Sequence, residues 1–315
     1  MAGTPRNIIY YNRNNVPLDG IVGSAFTHVI LAVVVPTVSG GIDTAVIDKF
    51  LSEPGVVPKL KENGKRKVLF ALGGDEDYIP AGAWKSASLN VSSFAKSLVD
   101  YAVKHDFDGI DIDFEDTASL QNPAAASYDA KKFLIALSKE LKAAVPPGKS
   151  LIVTHAPQAP YFDPAWKEAP YSQIASAAGD AIDWFNIQYY NNGTWYNGNT
   201  NDGPAQKEKI TGLSGSTPPG WSILALSEQA ATPVEKLVLG RVTSLDNAGL
   251  NKTMAGYLSA ADTVTYLVQP LMSHFGAKFG GVMAWQYSLH VSSTETANSW
   301  GKTIQGALEQ ALADA

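Results

Sequence analysis

Cysteine is absent from the 315 residues. That absence removes disulfides, thiolate metal sites and a thiol nucleophile together, and it leaves the compartment open because many secreted chains carry no disulfide. No apolar run approaches the ~20 residues a membrane-spanning helix needs, so no membrane partner is expected. Basic residues are few and scattered, with 24 Lys and Arg against 30 Asp and Glu and a net charge of −6. An electrostatic grip on phosphates is thereby excluded, and nucleic acid with it. Low-complexity tracts and repeats of solenoid period are also missing. The opening Met1–Arg6 runs into an apolar segment without a charged region and long apolar stretch before it, so no secretion leader is read. Localisation stays open: secreted if a leader has been removed, intracellular otherwise.

What is present is a hydrophobic content of 45%, enough for a large core. Short apolar, β-branched or aromatic runs recur at Ile8–Tyr11, Thr27–Val33, Lys67–Ala71, Gly109–Phe114, Leu151–Thr154, Ile182–Tyr189, Leu237–Leu239 and Gly281–Trp285. Between them lie helical stripes such as Phe94/Leu98/Ala102, Phe133/Leu137/Leu141 and Ile304/Leu308/Leu312. Ser92 or Ser93 is expected to cap the first stripe, and Pro146-Pro147-Gly148 ends the second. Eight alternating βα units predict an α/β chain closed as one (β/α)8 TIM barrel spanning residues 1–315. Only about forty residues separate the seventh and eighth runs, so no large cleft-deepening insertion domain fits there and an open groove is expected.

The segment Asp108-Gly109-Ile110-Asp111-Ile112-Asp113-Phe114-Glu115 has a period of two. Ile110, Ile112 and Phe114 then face the helices, while Asp111, Asp113 and Glu115 line the barrel interior at Cα steps of roughly 6.5 to 7 Å. Buried unpaired charges are strongly destabilising, so such a row must share protons or bind a cation. Like-charge crowding raises at least one pKa, which is what a general acid requires. Glu115, last on the strand and nearest the C-terminal mouth where barrel active sites sit, is the natural proton donor. A solvated acidic edge would not need the strict alternation of Ile110, Ile112 and Phe114. A Mg2+ or Ca2+ site is the other rival, but it lacks further ligands: His155 is the nearest imidazole by strand position, and a lone core His is more often structural. No metal and no cofactor are expected.

The D-G-x-D-x-D-x-E strand resembles the signature of glycoside hydrolase family 18, which contains chitinases and endo-β-N-acetylglucosaminidases. Phe70-Ala71-Leu72-Gly73-Gly74 resembles that family's S-x-G-G third strand. Gln188-Tyr189-Tyr190-Asn191-Asn192 is similar to the sixth-strand Q-x-Y-N of plant class III chitinases and their fungal relatives, and Ala156-Pro157-Gln158-Ala159-Pro160 to the turn after their fifth strand. Gly281-Val282-Met283-Ala284-Trp285 matches the eighth strand ending in Trp. The resemblance implies a retaining, substrate-assisted hydrolysis of β-1,4-linked N-acetylglucosamine polymers, the exception to the two-carboxylate scheme.

Carried over by position, Glu115 protonates the glycosidic oxygen and the sugar's acetamido carbonyl attacks C1. Asp113 orients the acetamido N–H, Asp111 shares a proton with Asp113, Tyr190 hydrogen-bonds the acetamido oxygen and Trp285 forms the apolar floor. Gln188, Asn191, Tyr10, Gly73 and Gly74 join the substrate-binding wall, with Tyr11, Trp195 and Tyr196 as further groove aromatics. One departure stands out: Ala71 occupies the position of the family's usual Ser, removing a hydroxyl that commonly supports Asp111. The expected partner is an N-acetylglucosamine oligosaccharide or polysaccharide, and a monomer is expected. The rivals are an endo-β-N-acetylglucosaminidase acting on the chitobiose core of N-glycans, with the same site, and a chitin-binding lectin on the same barrel, against which the presence of Glu115 argues.

Overall fold

The computed structural model describes residues 5–12, 17–215, 217–249, 251–287 and 295–313; most of the opening segment read for a leader, Met1–Thr4, lies outside them. The strands are β1 (Arg6–Asn12), β2 (His28–Pro36), β3 (Lys67–Gly74), β4 (Gly109–Phe114), β5 (Ile152–His155), β6 (Trp184–Gln188), β7 (Leu237–Val242) and β8 (Gly281–Trp285). They pair in parallel, each with its neighbour in sequence, and β1 pairs with both β2 and β8, so the sheet closes. The architecture is a TIM barrel. A two-residue strand, Ile42–Asp43, adds antiparallel to the end of β2.

Closure follows from the alternating faces of each strand. Ile8, Tyr10, Ile30, Ala32, Leu69, Ala71, Val238, Val242 and Met283 pack together inside the barrel, whereas Ile9, Val29, Leu31, Phe70 and Ile110 join the larger core beneath the helices. Three helices show how that outer layer is held: α1 (Val91–Lys104), α2 (Ala130–Ala143) and α3 (Ala297–Ala313) bury the stripes Phe94/Leu98/Ala102, Phe133/Leu137/Leu141 and Ile304/Leu308. The cap of α1 is Asn90, whose Oδ1 accepts from Ser93 N at 3.2 Å, so neither Ser92 nor Ser93 caps it. Asn takes the position because its side chain reaches the third helical N–H, and replacing it with Ala costs about 1 kcal/mol. Between β7 and β8 the described residues form short 3-10 turns at Leu245–Asn247 and Gly276–Lys278 and a helical run over 260–275, and no inserted domain.

Candidate active site

Strand β4 is buried along its length. Ile110, Ile112 and Phe114 lie in the outer core, Phe114 with its ring 5.0 Å from that of Trp84. The opposite face carries Asp111 and Asp113 and, one step past the strand, Glu115. Asp113 and Glu115 line a cavity of about 500 Å3 at the C-terminal mouth of the barrel.

Asp111, fully buried, is held from three strands. Tyr10 donates to its Oδ2 at 2.5 Å, and Thr154 Oγ1 and Asn186 Nδ2 donate to Oδ1 at 2.5 and 3.0 Å. The register explains the set: Thr154 pairs with Asp111 across β4–β5, while Asn186 lies two residues before Gln188 on the inward face of β6. Burial raises the Asp111 pKa, and the bonds from Thr154, Tyr10 and Asn186 oppose the shift. These donors stand where Ala71, in register with Asp111, supplies none.

Asp113 belongs to the layer above. The charges of Glu115 and, beneath it, Asp111 both act on its carboxyl. Burial first, then the charge of Glu115, holds the Asp113 pKa well above the carboxylate range. Glu115 is also raised, by burial and then by the charge of Asp75, against hydrogen bonds from Gln188, Asp113 and Gln158. Two such carboxyls side by side oppose each other's ionisation. Gln188 Nε2 lies 3.0 Å from Asp113 Oδ1, 3.4 Å from Glu115 Oε1 and 2.9 Å from Ala156 O, so two N–H groups serve three acceptors. Gln158 Nε2 reaches Glu115 Oε2 at 3.3 Å.

Tyr190 is 5% exposed and lines the cavity, and its hydroxyl has no protein hydrogen-bond partner among the described residues. Trp285, half-buried at the end of β8, lies with its ring 5.6 Å from that of Tyr10. Gly73 and Gly74 line the wall with positive φ of 114° and 92°. A Cβ on Gly73 would stand 2.1 Å from the Asp113 carbonyl oxygen, which is why glycine occupies the crossing beside the acidic strand. Asn191 also lines the cavity, with its Oδ1 accepting from Gly249 N at 2.9 Å.

Several expectations change in detail. Tyr10 reaches the cavity floor, but its hydroxyl is engaged by Asp111 beneath. Tyr11 points the other way, packing on Phe50 outside the barrel, because neighbours on a strand take opposite faces. Trp195 and Tyr196 do not line the cavity; Tyr196 packs on Trp221 and donates to Asp163, and Trp195 stands exposed at 66% beside Lys209. His155 faces the helices, bonded to Ser138 at 2.9 Å, and burial lowers its pKa to about 3. The described residues hold no cluster of metal-ligating side chains and no helix long and apolar enough to cross a membrane.

Sequence reasoning did not find Thr154, Asn186, Gln158 or Asp75 as parts of the site. The period of two that exposed Asp113 would have found Asn186 from Gln188. Asp75 follows Gly74 directly, and since Gly74 pairs with Phe114 it lies beside Glu115 at the rim of the same cavity.

Comparison with known proteins gives the chain relatives among chitinases. A chitinase from Enterococcus faecalis is 27% identical over 255 residues, 78% of this chain and 65% of that protein. The chain spans less than two thirds of the length of the curated relatives it matches. The crystal structure of a GH18 chitinase from Pseudoalteromonas aurantia superposes with a TM-score of 0.76 at 26% identity, covering 95% of this chain and 99% of that one. A class V chitinase from Nicotiana tobaccum, solved as a mutant in complex with NAG4, has the same fold at 17% identity and a TM-score of 0.65, over 96% of this chain and 99% of that one. Plant class V, bacterial and fungal chitinases all share the fold, so the likeness is not particular to plant class III. Residues 6–244 match the model of glycosyl hydrolases family 18, and the chain belongs to that family.

Proposed function

We propose that the chain is a retaining endo-hydrolase of the β-1,4 linkages of chitin, acting by substrate assistance. One observation carries the reading: Asp113 and Glu115, both held above the ordinary carboxylate range, face the same cavity as a Tyr190 hydroxyl with no protein partner among the described residues. With the proton on Glu115, Asp113 is the carboxylate that accepts the acetamido N–H. Tyr190 donates to the acetamido carbonyl, aligning its oxygen with C1. That oxygen attacks as the C1–O bond breaks, and Glu115 passes its proton to the leaving oxygen. Water then opens the oxazolinium ion from the face the leaving group vacated, giving its proton to Glu115, and two inversions amount to retention. Positioning an internal nucleophile can supply several kcal/mol of the barrier reduction, and Asp113 stabilises the cationic transition state.

The partner is a chain of N-acetylglucosamine units, the ligand class of the tobacco relative. The Q-x-Y-N strand and the Ala156–Pro160 turn support a place beside the plant class III and fungal chitinases within the family. Incubation with chitin oligomers and, separately, with a high-mannose glycoprotein tests the substrate. Shortened oligomers are expected; N-glycan release without oligomer cleavage replaces this reading with an endo-β-N-acetylglucosaminidase. Oligomer binding with no turnover of either substrate replaces it with a lectin.

A further inference from the structure

Arg241 is a fully buried cation on β7, 1% exposed, and among the described residues no carboxylate lies within ion-pair distance of it. Its neighbours Gly240 and Val242 border the barrel interior or face it, and its own side chain leaves the barrel outward beneath the loops that follow β6 and β7. Nη1 donates to Tyr189 O at 2.7 Å, and Nη2 donates to Gln206 Oε1 at 2.5 Å and to Gly256 O. Its Nε–H has no hydrogen-bond partner among the described residues. A buried cation without a counter-charge is strongly destabilising, so packing alone gives no reason to keep it.

What the guanidinium touches supplies the reason. The Tyr189 carbonyl and the Tyr190 N–H share one peptide plane, so the bond to Tyr189 O sets the plane from which Tyr190 springs. Around it the two loops are tied together: Asn191 N donates to Ala255 O at 3.1 Å, and Asn192 N donates to Asn197 Oδ1 at 2.9 Å, whose Nδ2 donates to Met254 O at 3.1 Å. Gln206 carries the tie onward, its Nε2 donating to Asn199 O at 2.6 Å.

We infer that Arg241 is a positioning residue for Tyr190, fixing its peptide plane through the Tyr189 carbonyl. The inference rests on the reading above, in which Tyr190 donates to the acetamido oxygen. Burial first, then the charges of Asp113, Glu115 and Asp111, hold the Tyr190 pKa well above its ordinary value, with Arg241 a small opposing influence. A lysine keeps the charge but loses the planar fork; a glutamine keeps an N–H2 donor but loses the charge.

The test uses the whole chain as Arg241→Lys, Arg241→Gln, Tyr190→Phe and the two double variants, so that one variant suffices if the other does not fold. The first readout is the 13Cζ tyrosine resonance of Tyr190, assigned by its loss in Tyr190→Phe. It should move in either Arg241 variant, while Tyr128 and Tyr266 stay in place. The second is turnover of chitin oligomers, where kcat should fall roughly tenfold to a hundredfold with KM little changed. In the Tyr190→Phe background the same substitutions should cost little further, because the pair acts as a unit. A Tyr190 resonance that does not move overturns the inference whatever the activity, as do kcat losses that simply multiply. A displaced resonance in a protein whose wild type cleaves no oligomer leaves Arg241 in its role and removes the substrate reading instead.

Discussion

In the lower layer of the barrel interior, Asp111 receives hydrogen bonds from Tyr10, Thr154 and Asn186 and has no opening to the cavity. One step up the same strand, Asp113 and Glu115 share a glutamine N–H2 with a third acceptor, and the Tyr190 hydroxyl beside them has no protein partner among the described residues. Both layers present carboxyls from β4 to the same interior. The lower one is satisfied by protein and serves as a fixed base; the upper one is short of donors and open, which is the condition for a ligand to complete it. Distance from the mouth, not residue type, separates the satisfied carboxyl from the open ones here.

Breaking the upper layer should cost activity and little stability. Glu115→Gln removes the transferable proton while keeping the shape, so kcat on chitin oligomers should fall by roughly 10²- to 10⁴-fold, the range for a lost general acid. Oligomer binding, read by calorimetry, should survive; unchanged turnover would remove Glu115 from the role of donor. Asp113→Asn should follow with a kcat loss on the order of 10²-fold, as the charge that stabilises the cationic transition state is removed. Its melting temperature should hold or rise, because a crowded buried carboxyl has gone.

Breaking the lower layer should do the reverse. Asn186→Leu deprives Asp111 of a donor and Trp184 Nε1 of its acceptor at 3.0 Å. Leaving buried polar groups unpaired costs about 1–3 kcal/mol each, read as a lowered urea midpoint. A drop in kcat at unchanged stability would show that the two layers are not separable.

The pH dependence sharpens the same contrast. Burial raises all three carboxyls, most strongly Asp113, which burial and the charge of Glu115 raise together. The folded state then binds protons more tightly than the unfolded one. The associated stability is complete below the ordinary carboxylate pKa and is lost as pH rises through the elevated folded values. Urea midpoints should therefore decline from acid toward neutral pH, and the decline should be shallower in Asp113→Asn. An identical slope in the variant would show that Asp113 does not contribute to the pH dependence.

The barrel was legible because each strand announces itself as a short apolar run between helical stripes. The acidic row was legible because Ile110, Ile112 and Phe114 fix the phase of its alternation. Tyr11 was misread for the converse reason: a tyrosine beside a predicted inward tyrosine must point outward, and the pattern was not followed one residue further. Thr154 and Asn186 stayed hidden because a lone Thr or Asn on a buried strand has no chemistry until register brings it to a carboxylate. Asn90 outcompeted the serines as a cap through two or three residues of position, a margin that propensity alone does not resolve.

The smallest expected effect concerns the departure from the family pattern. Ala71 lies in register with Asp111 and is fully buried. A serine there adds one oxygen to a packed interior but offers a donor to a carboxylate that can accept about four hydrogen bonds and already has three, one on Oδ2 and two on Oδ1. The fourth donor meets a lone pair that is open, while the added atom must displace packed neighbours. These effects oppose each other, and the net change in stability should stay within about 1 kcal/mol. Extra donation to Asp111 lowers its pKa, so the weak decline of the urea midpoint with pH should become weaker still in Ala71→Ser. If that substitution instead raised kcat tenfold, then Tyr10, Thr154 and Asn186 would not be doing the work of the missing hydroxyl, and the lower layer would be the incomplete one.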